Sequence, residues 1–269
     1  MELGNVIARG RTAELFDLPE NQVLKLFYDW VSPQAVRQEF EISQLIYKAP
    51  LPVPQAFDLI QHENRYGIIY EKISGSTMLK SLADKPWQVV KHSRILADLH
   101  SHMHEITLAG FPSFRDRWFE NIEHVSNLSE NIKQKLIDQV NQLPNINQLC
   151  HFDFHPDQVI YTTNGPVILD WMTAYAGHPA ADVARTQILL TIGKPPDANV
   201  WMKILASLLG KIANFYYLKR YLELNPKLRR LLIQAWLAPM AAVRLLEGIP
   251  GEEQDLMKII LAQSSLADG

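Results

Sequence analysis

Between Leu149 and Trp171 the sequence leaves little freedom. Leu149 to Phe152, Val159 to Thr162 and Val167 to Trp171 are short β-favouring runs, and Thr163-Asn164-Gly165 between the last two marks a hairpin turn. The polar stretch His151-Phe152-Asp153-Phe154-His155-Pro156-Asp157-Gln158 therefore forms a loop after one strand and before a hairpin, and the second hairpin strand ends in Ile168-Leu169-Asp170-Trp171. This arrangement delivers two carboxylates, Asp153 and Asp170, to one place.

The rest of the chain changes character once. Its first seventy or so residues read as strands and most of the remainder reads as helices. Leu3 to Ala8, Thr12 to Leu18 and Gln22 to Tyr28 are separated by Gly10 and by the turn Pro19-Glu20-Asn21, so a meander is the simplest reading. Ser32-Pro33 supplies an N-cap and a first-turn proline to a helix whose apolar stripe runs through Val36, Phe40, Ser43, Leu45 and Ile46 to Tyr47. Pro50, Pro52 and Pro54 stop it. Gln55 to Ile60 and Tyr66 to Lys72, joined across His62-Glu63-Asn64, complete an antiparallel sheet, and Ser74-Gly75-Ser76 leads out of it. Two domains are expected, 1–72 and 73–269.

Trp87 to Ile106 places Val89, Val90, Ile95, Leu96, Leu99 and Met103 on one face of a core helix. Of the histidines on or near it, His92, His100, His102 and His104, the pair His100 and His104 has the i, i+4 spacing that sets two imidazoles on one metal. No Glu adjoins His100 as in a zinc protease helix, and the four read as capping and surface histidines. After Pro179 four helical segments are expected, broken by Lys194-Pro195-Pro196, Asn225-Pro226 and Gly248-Ile249-Pro250-Gly251.

Composition excludes several classes of function. The formal net charge is -3, with 7 basic and 10 acidic residues up to Lys72 and 19 of each after it. Neither part has the basic excess of a dedicated nucleic-acid binder. The mixture of aromatic and basic residues from Phe215 to Tyr221, with Arg229-Arg230, reads as helix packing with a solvated basic edge. A lone cysteine, Cys150, rules out an internal disulfide framework and reads as a small buried apolar side chain. The start, Met1-Glu2-Leu3-Gly4-Asn5, lacks the basic and apolar runs of a secretory signal, and no apolar run reaches the roughly 18 residues that span a bilayer. A cytoplasmic protein without membrane or nucleic-acid partners is expected; its oligomeric state is not legible.

The acid pair points to a chemistry. Phosphoryl transfer needs one carboxylate to orient the attacking hydroxyl and accept its proton, and another to hold Mg²⁺ against the nucleotide phosphates. Asp153 suits the first task and Asp170 the second. The loop resembles the His-Gly-Asp-Leu-His-Pro-Gly-Asn run of the aminoglycoside phosphotransferase and choline kinase-like family, and Asp170-Trp171 is similar to that family's Ile-Asp-Trp. Ala181-Asp182-Val183-Ala184 is similar to its Asp-Leu-Ala, and Leu96-Ala97-Asp98-Leu99-His100 to its Leu-Ala-x-Leu-His. The resemblance covers nearly the whole chain. No long activation segment comes after Trp171, which favours small-molecule kinases over protein kinases.

The resemblance implies an α+β, two-lobed protein-kinase-like fold, with a small antiparallel sheet and one helix in the N-terminal lobe and a mainly helical C-terminal lobe. It implies that Gly10-Arg11-Thr12-Ala13 positions nucleotide and that Lys25, partnered by Glu39, holds the α and β phosphates; Glu41 is the second choice of partner. The Glu71 carbonyl and Ile73 amide would meet an adenine edge. Asp153 would be catalytic, Asp170 and Gln158 would bind Mg²⁺, and His151 and Asp182 would support the loop; His155 would lend a donor to the transferring phosphate or merely pack. The implied reaction moves the γ-phosphate of ATP or GTP to a hydroxyl of a small metabolite or antibiotic.

One departure stands out. Gln158 occupies the position where the family has Asn, which lengthens a metal-binding side chain by one methylene. Loss of one ligand oxygen costs about 1 to 3 kcal/mol of transition-state stabilisation. A nucleotide-binding protein with impaired catalysis is therefore one alternative, and a metal-dependent hydrolase built on His151, Asp153 and His155 is another.

Overall fold

The computed structural model describes residues 3–193 and 200–264, so the break expected at Lys194-Pro195-Pro196 lies outside the described residues. The chain collects into two compact units. One comprises the chain up to Ser81 together with residues 157–174, the other Leu82–Pro156 and the chain from Tyr175 onward.

The first unit is built on an antiparallel sheet of β1 (Val6–Arg9), β2 (Ala13–Leu18), β3 (Gln22–Phe27), β4 (Ala56–His62) and β5 (Arg65–Glu71), in the order β1-β2-β3-β5-β4. The turn between β2 and β3 sets Leu18 opposite Gln22, with Glu20 and Asn21 at φ of 59° and 57°. Asn tolerates this left-handed backbone and Glu does so at a cost. The Asn21 carbonyl accepts the Lys72 amide at 2.9 Å, which anchors the end of β5. Helix α1 (Pro33–Tyr47) starts as expected at Ser32, whose hydroxyl accepts the Ala35 amide at 3.2 Å.

Strand alternation decides what β3 presents. Leu24 and Leu26 pack with Phe16 on one face, while Phe27 joins Val31, Val36 and Ile68 on the face covered by α1. Lys25 shares that second face. A three-stranded sheet of β6 (Ser76–Thr77), β8 (Val159–Thr162) and β9 (Gly165–Ile168) belongs to the same unit. Gly75 makes it possible: a Cβ there would lie 2.1 Å from the Tyr161 carbonyl oxygen. The Ile168 amide also donates to Pro52 O at 2.8 Å. These bonds group the hairpin with the N-terminal sheet, although in sequence it lies among the helices.

In the second unit α3 (Val89–Met103) packs along α7 (Val200–Leu224), and α6 (Pro179–Ile192) packs against α7 and α8 (Arg230–Arg244). Helices α4 (Phe114–Glu123), α5 (Glu130–Gln142) and α9 (Glu253–Ser264) complete it, and α2 (Met78–Asp84) leads in from β6. A short antiparallel pair, β7 (Gln148–Cys150) with β10 (Tyr175–Gly177), brackets the polar loop. Pro239 lies inside α8 and has no N–H for the Ala235 carbonyl four residues earlier. The Gln139 side chain supplies the missing donor at 2.6 Å, while the Pro239 carbonyl accepts the indole N–H of the fully buried Trp118 at 3.0 Å. Among the described residues no helix is long and apolar enough to cross a membrane.

Candidate active site

Two clusters carry the polar chemistry, one in each unit. In the first, the Lys25 ammonium donates to Glu39 Oε1 and to Asp170 Oδ1, each at 2.7 Å. Glu39 is 1% exposed, whereas the Asp170 side chain is 39% exposed. Burial alone would pull the lysine pKa down, but the two carboxylates more than offset it and hold the ammonium above the ordinary lysine value. Burial pushes Glu39 up against the pull of Lys25. The Tyr70 hydroxyl donates to Glu39 Oε1 at 3.0 Å and lies 3.1 Å from the Ser43 hydroxyl, so β5 and α1 both orient the acid. Glu41, the second choice of partner, is exposed on α1.

Asp170 adopts a left-handed backbone with φ of 59°, an unusual conformation for a residue other than glycine and one that turns the chain sharply after β9. The Gln158 carbonyl accepts the Leu169 amide at 2.8 Å, closing the hairpin so that Gln158 and Asp170 flank its open end. A carboxylate and a carboxamide are both hard oxygen donors, and this pair fits a Mg²⁺ site by its chemistry.

The remaining residues expected around nucleotide also lie in this unit. Gly10 and Arg11 are exposed between β1 and β2, where the Gly10 amide donates to Ala13 O at 2.8 Å and Thr12 O accepts the Tyr28 amide. The Ala13 side chain is part of the apolar core, which leaves only its backbone for a ligand. Glu71 and Ile73 lie at and just beyond the end of β5.

The second cluster holds the loop with Asp153. Asp182, fully buried on α6, accepts the His151 amide at Oδ2 (2.6 Å) and the Phe152 amide at Oδ1 (2.9 Å). The Asp153 amide donates to His151 Nδ1 at 3.3 Å, and His155 Nε2 lies 3.6 Å from Asp153 Oδ2. Burial alone would raise the Asp153 pKa; His155, Arg185 and His151 overcome it and bring the carboxyl down to about 2. Phe152 takes a left-handed φ of 57°, and Arg185 donates to its carbonyl at 3.1 Å. Arg185 in turn pairs with Glu247, as does Arg244, which forks onto both oxygens of Glu252 at 2.8 and 3.0 Å.

The histidine reading needs correction. His102 is exposed and His104 is the C-cap residue of α3, as expected, but His92, His100 and His104 are buried, and the His100 and His104 side chains meet Asp182 instead of facing solvent. The packing of α3 against α6 and α7 has no local signature in a single helix, so its amphipathic pattern gave no warning. Tyr70 and Arg185 were also missed, since each acts through a residue distant in sequence. His151, Asp153 and His155 do not bring three ligand atoms together as the hydrolase alternative requires; among the described residues the group that does so is His100, His104 and Asp182.

No curated protein matches the chain by sequence. Solved structures do match its fold. A thermostable mutant of aminoglycoside phosphotransferase APH(4)-Ia is 15% identical, with a TM-score of 0.63 over 100% of this chain and 96% of that one. An aminoglycoside-3'-phosphotransferase of type VIII is 13% identical, with a TM-score of 0.63 over 89% and 91%. The amicoumacin kinase hAmiN, in complex with AMP-PNP, Ca²⁺ and Ami, is 13% identical, with a TM-score of 0.62 over 95% and 86%. The fold is therefore kinase-like, as expected from the sequence. A model of the phosphotransferase enzyme family matches residues 20–246, a span that holds Lys25, Glu39, Asp153, Asp170 and Asp182, and the chain belongs to that family.

Proposed function

We propose that this phosphotransferase moves the γ-phosphate of ATP or GTP to a hydroxyl of a small metabolite or antibiotic. The observation that carries the reading is the pair of hydrogen bonds that the Lys25 ammonium donates to Glu39 and Asp170, each at 2.7 Å. A half-buried, charged lysine held between a fixed acid and a more exposed one is suited to grip nucleotide phosphates while the exposed acid faces a metal. Residues 1–72 supply the nucleotide contacts: Gly10 to Ala13 by backbone at the phosphates, Glu71 and Ile73 at the base. Residues 73–269 supply catalysis and the acceptor site.

Asp153 orients the acceptor hydroxyl and takes its proton as the oxygen attacks the γ-phosphorus in line and the nucleoside diphosphate leaves on the opposite side. Its low pKa keeps it ionised for that task at any physiological pH. Asp170 and Gln158 would hold Mg²⁺, which, when bound, neutralises charge on the phosphates. Asp182 and His151 keep the loop in shape. The buried thiol of Cys150 suits a reducing cytoplasm.

The test is a transfer screen with radiolabelled ATP and GTP over hydroxylated antibiotics, amino alcohols and sugars. At least one acceptor should be labelled by the wild type, and Asp153→Asn should lower that rate by roughly 10² to 10⁴-fold without loss of folding. Label transfer that survives Asp153→Asn unchanged would remove Asp153 from the mechanism. Gln158 alone favours a second reading, a nucleotide-holding protein with weak turnover. Under that reading Gln158→Asn would raise the rate by roughly tenfold or more.

A further inference from the structure

Behind the Asp153 loop lies a buried relay that phosphoryl transfer itself does not require. Asp182 Oδ2, which accepts the His151 amide, is also met by His104 Nε2 at 3.2 Å, and His100 Nε2 lies 3.0 Å away. The two rings are not equivalent. His104 Nε2 is in hydrogen-bonding position to the carboxylate oxygen, whereas His100 Nε2, although close, has no aligned hydrogen bond. On the far side of each ring a tyrosine of α7 reaches Nδ1: Tyr217 at His100 and Tyr221 at His104, both at 2.6 Å.

The three groups His100, His104 and Asp182 bring ligand atoms within 4.8 Å of one another, as a metal site would. The direction of the His104 ring argues otherwise. A metal ligand points its Nε2 lone pair at the ion, but this nitrogen points at a carboxylate oxygen, which can only accept. His104 Nε2 must therefore carry the hydrogen. In a neutral ring Nδ1 is then the acceptor, and the Tyr221 hydroxyl must be its donor. Burial keeps that phenol protonated and holds the His104 imidazole neutral.

We infer that His104 is a positioning residue for the loop that carries Asp153: the Tyr221 hydroxyl fixes its Nε2–H tautomer, and that N–H fixes the Asp182 oxygen to which the His151 amide is bound. This rests on the reading of Asp153 as the catalytic acid–base residue. The consequence is a directed chain of hydrogen bonds, Tyr221 to His104 to Asp182, with the loop amides bound at its end. If His104 took the other tautomer, a lone pair would face the carboxylate, and the loop would lose one of the groups that hold its anchor.

Three measurements separate this role from simple packing. ¹⁵N imidazole spectra of the wild type should show His104 as a neutral Nε2–H tautomer. His104→Leu, which deletes the donor, should speed hydrogen exchange at the His151 and Phe152 amides and lower kcat on the order of 10²-fold with KM values little changed. His104→Gln, whose carboxamide can offer an N–H near the same point, should recover most of both. Tyr221→Phe keeps the ring volume and serves if His104→Leu does not fold; it should raise the Nδ1–H population and quicken the same exchange. Spectra and exchange need no turnover, so they judge the relay even if no acceptor is phosphorylated. An Nδ1–H tautomer in the wild type, stoichiometric zinc bound at Nε2, or wild-type exchange in both His104→Leu and Tyr221→Phe would overturn the inference.

Discussion

A lysine largely withdrawn from water beneath a helix is costly unless anions meet it, and Lys25, with its side chain 12% exposed, meets two. Replacing it with Met would leave Glu39 buried without its cation, so Lys25→Met should cost about 3 to 5 kcal/mol of stability as well as activity, read from urea melts and transfer rates. Lys25→Arg should not restore the rate, because a planar fork cannot reproduce a point charge shared by two acids. At Asp153 the folded pKa of about 2 lies below the ordinary 3.8, so its stabilising effect is complete above pH 3.8 and is lost as pH falls through about 2. A pH profile of kcat/KM should accordingly show no acid limb from Asp153 above about pH 3. The sequence revealed Lys25 and Glu39 because a charge inside an apolar strand demands a partner and the resemblance implied one on the next helix. Tyr70, Arg185 and His104 were not legible, because each finds its partner across an interface that only tertiary packing creates.

Elements were easier to read where the backbone itself is restricted. Proline and serine at Ser32-Pro33 marked the start of α1, and Asn164-Gly165 marked the β8–β9 hairpin. Pairing across elements was less visible: two residues of β6 join β8, and no periodicity in so short a strand could announce it. Proline within α8 was equally silent about its remedy. Gln139→Ala should leave the Ala235 carbonyl without its donor and cost about 1 kcal/mol, measurable by thermal melts. Gln139→Glu should not substitute for it, since an ionised carboxylate has no hydrogen to give.

For the molecule as a whole, buried neutral histidines set the acid limit. Burial lowers His104 and His178 to about 4, and His178 Nδ1 must stay unprotonated to accept the Ala180 amide at the start of α6. Folded pKa values lie below the ordinary 6.5, so the unfolded chain binds more protons between the two values. Stability is therefore whole above pH 6.5 and falls as pH drops toward 4, and melting temperature followed across that window should decline. Nucleotide binding is the most direct probe of the Lys25–Asp170 cluster. With Mg·ATP or Mg·GTP at a hundred times its dissociation constant the wild type should gain about 2.7 kcal/mol of stability, and Asp170→Ala should lose most of that gain. An unshifted wild-type melting temperature at millimolar Mg-nucleotide, or an equal shift in Asp170→Ala, would contradict the assignment of this cluster to nucleotide phosphates.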